Sequence, residues 1–244
     1  MMTDMFTIIR KEFKELIFQR GRFRGGLVGV LIFVFAFGIL MPLQMGRDWV
    51  ETPINLLFFA WLPYLLVSGV VADTIAGERE RHTLETLLAS RLSDRAILFG
   101  KIGSAVAYGW GLTLVNVLIS VVTVNVAYPE EGLLLFPSET SLAIFIVSLL
   151  VALFGASLGV IISLRASTVR QAQQTMGILM FVVLVPVMLL PLLPQEWSLW
   201  FLEWAMNADL YTIIIAVVAA LLILDASLLG YAMSRFKRAR LIMD

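Results

Sequence analysis

Six apolar runs, each about as long as a membrane is thick, constrain this chain more than any other feature of its sequence. A helix needs ~20 mostly apolar residues to cross the ~30 Å hydrocarbon core of a bilayer. The runs cover about residues 26–45, 54–73, 102–127, 141–164, 175–193 and 210–234. Only 15% of the 244 residues are charged, against roughly a quarter in a soluble domain. The sequence therefore predicts an all-α integral membrane protein with six transmembrane helices, in one domain over residues 1–244.

The basic residues assign the loops between the runs to opposite sides of the membrane. Lys and Arg are retained in short cytoplasmic loops, and 17 of the 18 fall on one side, with only Arg47 on the other. Both termini are then cytoplasmic, which agrees with an even number of spans. The predicted outer loops are acidic and contain Asp48, Glu51, Glu130, Glu131, Glu139, Glu196, Glu203 and Asp209. We expect a multi-pass protein of the cell membrane.

The first 24 residues form a polar segment ahead of the first run. Its apolar residues recur at helical spacing: Phe6, Ile9, Phe13, Leu16 and Ile17. Charged residues, including Lys11 and Glu12, occupy the opposite side. This pattern predicts an amphipathic helix that lies in the inner interface against membrane lipids. The helix either only anchors the first span or also docks a cytoplasmic partner.

The connection after the second run, residues 77–95, is the most charged part of the chain. Three leucines, Leu84, Leu87 and Leu88, share one helical face, and charged residues surround them. This spacing predicts a short cytoplasmic helix that joins the second and third spans. A charged run of this kind is by itself usually a solvated face.

The same connection carries a recognisable string. Glu78-Arg-Glu-x-x-Thr-Leu-Glu-x-Leu-Leu-x-Ser90, followed by Ile97-Leu-x-Gly-Lys101, resembles the intracellular signature of ABC-2 type permeases, the membrane subunits of ATP-binding-cassette exporters. The resemblance implies that this segment is the cytoplasmic gate and the coupling helix, which fits into a groove on an ATPase subunit. It assigns that role to Glu78, Arg79, Glu80, Thr83, Leu84, Glu85, Leu87 and Leu88. His82 stands where a glycine is common, and Arg91 where a proline often follows.

The resemblance also implies an assembly and an energy source. A second copy of the chain, or a homologous permease, would complete a twelve-span pore, and two ATPase subunits would bind beneath it. The chain itself has no G-x-x-x-x-G-K-[ST] string, so it lacks the loop that cradles the phosphates of ATP. ATP and Mg would therefore be bound by the partner subunits, and this chain would need no cofactor. A formal net charge of zero gives no reason to expect nucleic acid as a partner.

The predicted outer loop between the fifth and sixth runs contains three tryptophans. Trp197, Trp200 and Trp204 follow a helical spacing, which predicts an outer interfacial helix. Tryptophan is enriched at the membrane–water interface because its ring is half polar, so an aromatic belt is one interpretation. The resemblance to permeases with re-entrant outer helices supports the other, a lid over the exit of the translocation path.

Asp225 is the one ionisable residue predicted deep inside a span. A carboxylate at the centre of a lipid-facing helix costs ~2.5 to 3.5 kcal/mol, so we expect Asp225 to face protein or water. It is a candidate pathway or gate residue. The alternative is a structural hydrogen bond to a polar neighbour such as Asn116, Ser148 or Ser157.

Two further patterns concern the packing of the runs. Pro186 and Pro191 lie in the outer third of the fifth run, where proline breaks the backbone ladder; they indicate a bent gate or a simple exit from the bilayer. Gly155 and Gly159 form a GxxxG pair in the fourth run, which permits close helix approach but does not identify a dimer face.

Two other functional classes fit the sequence less well. An intramembrane hydrolase needs histidine or paired acids at bilayer depth, and the only histidine, His82, lies in the cytoplasmic connection. An ion-coupled secondary transporter normally carries several ionisable residues within its spans. The sequence offers Asp225 alone and no visible internal repeat.

Overall fold

The computed structural model describes residues 2–18, 23–52, 55–189 and 209–236, and every regular element in these ranges is a helix. The elements are α1 (Met2–Phe18), α2 (Phe23–Phe33), a π-helical segment (Val34–Leu40), α3 (Met41–Met45), α4 (Asp48–Glu51), α5 (Asn55–Glu80), α6 (Leu84–Leu88), α7 (Asp94–Ala127), α8 (Ser138–Arg165), α9 (Val169–Leu189) and α10 (Leu210–Arg235). A 3₁₀ turn, Pro129–Glu131, follows α7.

Five helical stretches within the described residues are long and apolar enough to span a membrane. They are Val28–Met45, Asn55–Glu80, Asp94–Ala127, Ser138–Arg165 and Tyr211–Arg235. The prediction of an all-α, multi-pass membrane protein is confirmed. The predicted fifth span, residues 175–193, overlaps α9, which is not among these five, and its last four residues lie outside the described part. The count of six spans therefore stays a prediction.

Helix α8 is the centre of the bundle and packs against α5, α7, α9 and α10. Its small residues allow α5 to approach closely: a Cβ atom at Gly159 would overlap the side chain of Val71, and one at Gly155 would lie 3.2 Å from Cδ2 of Tyr64. The GxxxG pair is thus used inside the chain, between α8 and α5. Val67 and Val71 of α5 belong to the same buried core as Ala156 of α8.

A buried hydrogen bond joins α5 to α9. The Tyr64 hydroxyl donates to the carbonyl oxygen of Met176 over 3.0 Å. Replacing Tyr64 by phenylalanine is expected to lower the free energy of unfolding in an SDS titration by about 1 kcal/mol, because a net hydrogen bond contributes about that much. The side-chain hydroxyl of the half-buried Tyr108 has no hydrogen-bond partner within the described residues, so Tyr108→Phe is the control. Equal losses in the two variants would contradict the prediction.

The first apolar run is not a uniform α-helix. Its middle is the π-helical segment Val34–Leu40, in which Gly38 lies so close to Asn116 of α7 that a Cβ atom would overlap the amide oxygen. The hydroxyl of Thr123 donates to the Gly38 carbonyl oxygen over 2.8 Å. Contact with α7 therefore stabilises this irregular stretch. Its apolar sequence carries no signal for it.

The two ends of the bundle differ in chemistry. At one end a buried aromatic cluster holds the connections, with Trp49 of α4 against Phe59 of α5 and Phe136 ahead of α8. At the other end, the last turns of α5 and α8 lie beside the first turns of α7 and α9. Helices α1 and α6 also lie at this end. We call this the basic end, because Lys11, Arg79, Lys101 and Arg165 lie there.

Helices at the basic end extend further than the apolar runs predict. Helix α5 continues through Gly77 to Glu80, and α7 begins at Asp94, where the Ser93 hydroxyl accepts a hydrogen bond from the Ala96 N–H over 3.2 Å as an N-cap. The predicted helix over the charged connection is therefore only the five residues of α6. The physical reason is that the charged residues at the end of α5 find partners on other helices, so the helix need not stop at the membrane surface.

Candidate coupling site

Helix α6 follows a tight turn at the end of α5. His82 adopts a left-handed conformation with φ of 54°, which L-residues rarely adopt and glycine adopts freely. A glycine in place of His82 would adopt this conformation without strain. The Thr83 N–H then donates to the Glu78 carbonyl oxygen over 2.9 Å and closes the turn.

Helix α6 has an inner and an outer face. Leu84 is buried in the same core as Ile97 of α7, and Leu87 packs against that core. Glu85 and Thr86 are exposed on the other face. Only residues 81–83 and 89–93 separate α6 from α5 and α7. Short turns thus connect α6 to two long helices, α5 and α7, and its polar face points away from the bundle. We refer to α6 as the lever.

Lys101, in the third turn of α7, is the centre of a buried ion cluster. Its side chain is 1% exposed, and the ammonium group has three partners: the Thr74 carbonyl oxygen at 2.6 Å, Glu12 Oε1 at 3.0 Å and Glu78 Oε1 at 3.1 Å. Glu78 Oε1 also accepts from Lys11 Nζ at 3.2 Å. We call Lys11, Glu12, Glu78 and Lys101 the Lys101 cluster. Its two positive and two negative charges balance, as burial in a medium of low dielectric constant requires.

The Lys101 cluster fixes helix α1 to the bundle. Ile8 of α1 is buried against Gly100, where a Cβ atom would lie 2.7 Å from the Ile8 Cβ atom. Glu12 follows one turn later and reaches Lys101. Part of the predicted amphipathic helix therefore contacts α7, and the exposed Phe6 and Arg10 lie on other sides of α1. Membrane contact by this helix remains a prediction.

The next two residues of α5 hold the turn between α8 and α9. Arg79 donates to the carbonyl oxygens of Ala166 at 2.6 Å and Leu164 at 3.1 Å, which are left over at the end of α8. Glu80 Oε1 accepts from the Val169 N–H at 2.8 Å, at the first residue of α9. Each charge suits its helix end, since a cation is favoured at a C-terminus and an anion at an N-terminus.

A serine of α8 completes the contact between these helices. The Ser163 hydroxyl donates to the Ala72 carbonyl oxygen over 3.1 Å and accepts from the N–H groups of Ile75 at 3.2 Å and Ala76 at 2.8 Å. The end of α5 is thus bonded by side chains of α7 and α8 and itself bonds α9. Charged and polar side chains join α1, α5, α7, α8 and α9 into one unit beneath α6.

A family model described as ABC-2 family transporter protein matches residues 52–207, well over half of the chain. The chain belongs to the ABC-2 transporter family. The predicted resemblance is confirmed, and the chain is a membrane component of a transporter, not itself catalytic. No curated protein matches it. The matched region of the permease contains α5 to α9, whereas Lys11 and Glu12 of α1 precede it.

The permease signature is divided between two environments. Glu78, with a side chain only 5% exposed, and Arg79 and Glu80 bond other parts of the same chain. Thr83 and Glu85 are exposed, and Leu84 and Leu87 pack inward. Leu88 is helical, and its side chain lies outside the described residues. In this arrangement the exposed face of α6 is accessible from outside the chain and Glu78 is not.

The residue predicted inside the last span lies within protein. Asp225 is 2% exposed on α10, a helix that packs against α8, so it avoids lipid as the cost of a charge requires. Neither of its carboxyl oxygens has a hydrogen-bond partner within the described residues. The predicted bond to Asn116, Ser148 or Ser157 is therefore absent there. A pathway or gate role for Asp225 stays a prediction.

The other candidate residues of the permease fall partly outside the described part of the chain. The backbone of α9 is helical through Pro186 to Leu189, so α9 is not unwound at Pro186; a bend at this residue stays a prediction. Pro191 and the predicted lid tryptophans, Trp197, Trp200 and Trp204, lie outside the described residues.

Sequence reasoning missed the partners of the signature. Lys101 precedes the third apolar run and is buried. The amphipathic pattern placed Glu12 on the charged side of α1 but did not predict its partner, and no pattern pointed to Ser163 or Val169. One signal was available: Lys101 stands alone at the start of an apolar run, where a lysine that becomes buried needs a counter-charge. The pairing itself joins residues 89 positions apart for Lys101 and Glu12, which no local pattern specifies.

Proposed function

We propose that this ABC-2 family protein is the permease subunit of an ATP-driven exporter. Two copies, or one copy and a homologous permease, form the membrane pathway. Two separately encoded ATPase subunits bind ATP and Mg beneath the basic end, which faces the cytoplasm. The direction of transport follows from the resemblance to ABC-2 exporters.

The exposed face of α6 is the observation that carries the proposal. Glu85 and Thr86 are exposed on a five-residue helix, while Leu84 is buried beneath them. A partner that binds this face contacts a helix that only three residues separate from the end of α5. The Lys101 cluster holds that end of α5 through Glu78. Closure of two ATPase subunits around ATP would push on α6, and the connected helix ends would move with it and open the pathway outward.

The alternative, an ion-coupled secondary transporter, has less support. Such a protein would need a relay of ionisable groups across the membrane, and the buried charges of Lys101 and Glu78 lie together at one end of the bundle. The family match also favours a transporter driven by an ATPase. Transport by vesicles that contain the permease without any ATPase subunit would favour the alternative.

Reversing the charge of Glu85 is the direct test of docking. The permease is tagged and co-expressed with an ABC ATPase from the neighbouring reading frames of its genome. We expect Glu85→Lys to lower the ATPase recovered per permease about tenfold, equivalent to ~1.4 kcal/mol, because the substitution places a like or unpaired charge in the interface.

The matched control reverses an exposed charge at the opposite end. Glu130→Lys is expected to leave ATPase recovery unchanged, and both variants should elute as folded protein in size-exclusion chromatography. Full ATPase recovery with Glu85→Lys would remove α6 from the proposed docking surface. Loss of recovery with both variants would indicate a general effect of charge on the complex and would equally contradict the assignment.

A further inference from the structure

We infer that Arg79 and Glu80 are positioning residues that clamp the turn between α8 and α9 to the end of α5, so that displacement of α6 moves α9. The inference rests on the proposed function, since it concerns how a push on α6 is transmitted. It gives Glu80 a different role from the ATPase contact that its position in the signature predicts.

The bond between Glu80 and Val169 sits at the start of α9. The carboxylate accepts the N–H of the first residue of the helix over 2.8 Å. The preceding residue, Thr168, accepts from the N–H of Gln171 through its hydroxyl at 3.1 Å and from the N–H of Ala172 through its carbonyl oxygen at 3.1 Å. The first turn of α9 is therefore bonded partly by its own cap and partly by a side chain of α5.

Arg79 holds the other side of the same turn. Its two terminal nitrogens reach carbonyl oxygens of Leu164 and Ala166, and a guanidinium can hold two acceptors at once because its donors form a rigid fork. Between these polar contacts, small residues of the two helices pack directly: Ala72 and Ala76 of α5 with Ala172 of α9. The turn is therefore fixed to α5 by two opposite charges and by an alanine contact.

The connections on either side of the clamp are short, so α6 and α9 have little freedom to move independently. Only three residues, 81–83, separate Glu80 from α6, and only three, 166–168, connect α8 to α9. A hydrogen bond of 2.8 Å is lost once the atoms separate by much more than 3.2 Å. Movement of α6 that displaces Glu80 therefore either carries the start of α9 along or breaks the Glu80–Val169 bond. A clamp of this kind predicts that α9 responds less to ATP when the bond is removed, because only Arg79 and the alanine contact then hold the turn.

The experiment reports the movement of α9 in the intact complex. The chain has no cysteine, so Gln174→Cys, on an exposed position of α9, carries the only thiol of the permease. The permease and its ATPase are assembled in nanodiscs, and the rate of reaction with a fluorescent maleimide is measured without nucleotide and with ATP plus vanadate. We expect the two rates to differ at least threefold with the clamp intact.

Two variants remove the bond from either side. Glu80→Ala removes the acceptor, and Val169→Pro removes the donor at the first helical position, where proline is well tolerated. We expect the ratio of the two rates to fall below twofold, and by the same amount in each single variant and in the double variant, because all three lack the same bond while Arg79 still holds the turn. Glu80→Gln keeps an oxygen that can accept from Val169 and is expected to retain most of the response.

Controls separate the clamp from docking and from folding. Glu51→Ala makes a comparable change at the opposite end of the bundle and should leave the ratio unchanged. ATPase recovery and vanadate-trapped nucleotide should be unchanged in Glu80→Ala, which would distinguish positioning from contact with the ATPase. Should Val169→Pro fail to fold, the contrast between the alanine and glutamine variants of Glu80 still decides.

The outcomes that overturn the inference are specific. A full response in Glu80→Ala, or loss of ATPase binding in both Glu80→Ala and Glu80→Gln, would show that Glu80 does not act through Val169. Losses that multiply in the double variant would show two independent effects. If the unaltered permease binds no ATPase at all, the proposed function fails, and that result is distinct from a complex that assembles without a clamp.

Discussion

Replacing Lys101 by methionine is expected to cause the largest loss of stability of any single substitution at the basic end. The change leaves Lys11 paired with Glu78 but removes the partner of Glu12, whose side chain is only 12% exposed. Removing one partner of a buried ion pair typically costs about 3–5 kcal/mol, a large share of a total stability of about 5–15 kcal/mol. We expect little folded protein by size-exclusion chromatography in detergent and a lower midpoint in an SDS titration.

A second substitution tests whether charge balance is the cause. Lys101→Met combined with Glu12→Gln leaves the Lys11–Glu78 pair and no unpaired charge, and we expect it to recover much of the lost stability. Lys14→Met, on an exposed position of the same helix α1, is the control and should behave as the unaltered protein. A Lys101→Met variant as stable as this control would mean that the Lys101 cluster contributes nothing to the fold.

Gly159→Ala is expected to separate α8 from α5. The added Cβ atom would overlap Cγ1 of Val71, and overpacking of a well-packed interior typically costs about 1–3 kcal/mol. The loss should be measurable as a lower free energy of unfolding in an SDS titration. Because α5 carries the end that anchors α6, the same variant should also weaken any response of the bundle to ATP.

A matched pair of variants isolates the packing effect. Gly230→Ala meets nothing within 4 Å of the new atom, and it should stabilise α10 by about 0.5–1 kcal/mol because alanine loses less entropy in a helix. Val71→Ala combined with Gly159→Ala removes the overlapping methyl group and should restore most of the lost stability. If Gly159→Ala and Gly230→Ala change stability in the same direction, close contact at Gly159 does not limit the packing.

The apolar runs predicted the long helices well because one physical requirement, the thickness of the bilayer, sets both run length and composition. The ends of α5 and α7 were misjudged for a related reason. Hydropathy marks where the chain leaves the bilayer. A helix ends where its backbone groups and charged side chains no longer have bonding partners. Glu78 and Lys101 satisfy each other, so both helices continue beyond the apolar part.

The sequence predicted which segment forms the candidate site, but not how its side chains are arranged in three dimensions. The signature string identified residues 77–95. The leucine spacing predicted one apolar face on the short helix, and Leu84 on that face is buried. Nothing local distinguished the exposed Glu85 from the buried Glu78, because both belong to one charged run. Their different environments arise from helices that are distant in sequence: α1 brings Glu12, and the turn after α8 brings Val169.

The Lys101 cluster also sets an order for biogenesis. Glu12 leaves the ribosome 89 residues before Lys101, an interval of roughly 5–20 s at ordinary rates of synthesis. Until Lys101 is made, Glu12 and Glu78 lack the lysine that lies between them, so the cluster cannot form before the third span begins. The contact of α1 with α7 therefore depends on synthesis of the chain through the first two spans, whereas it needs neither α8 nor α9.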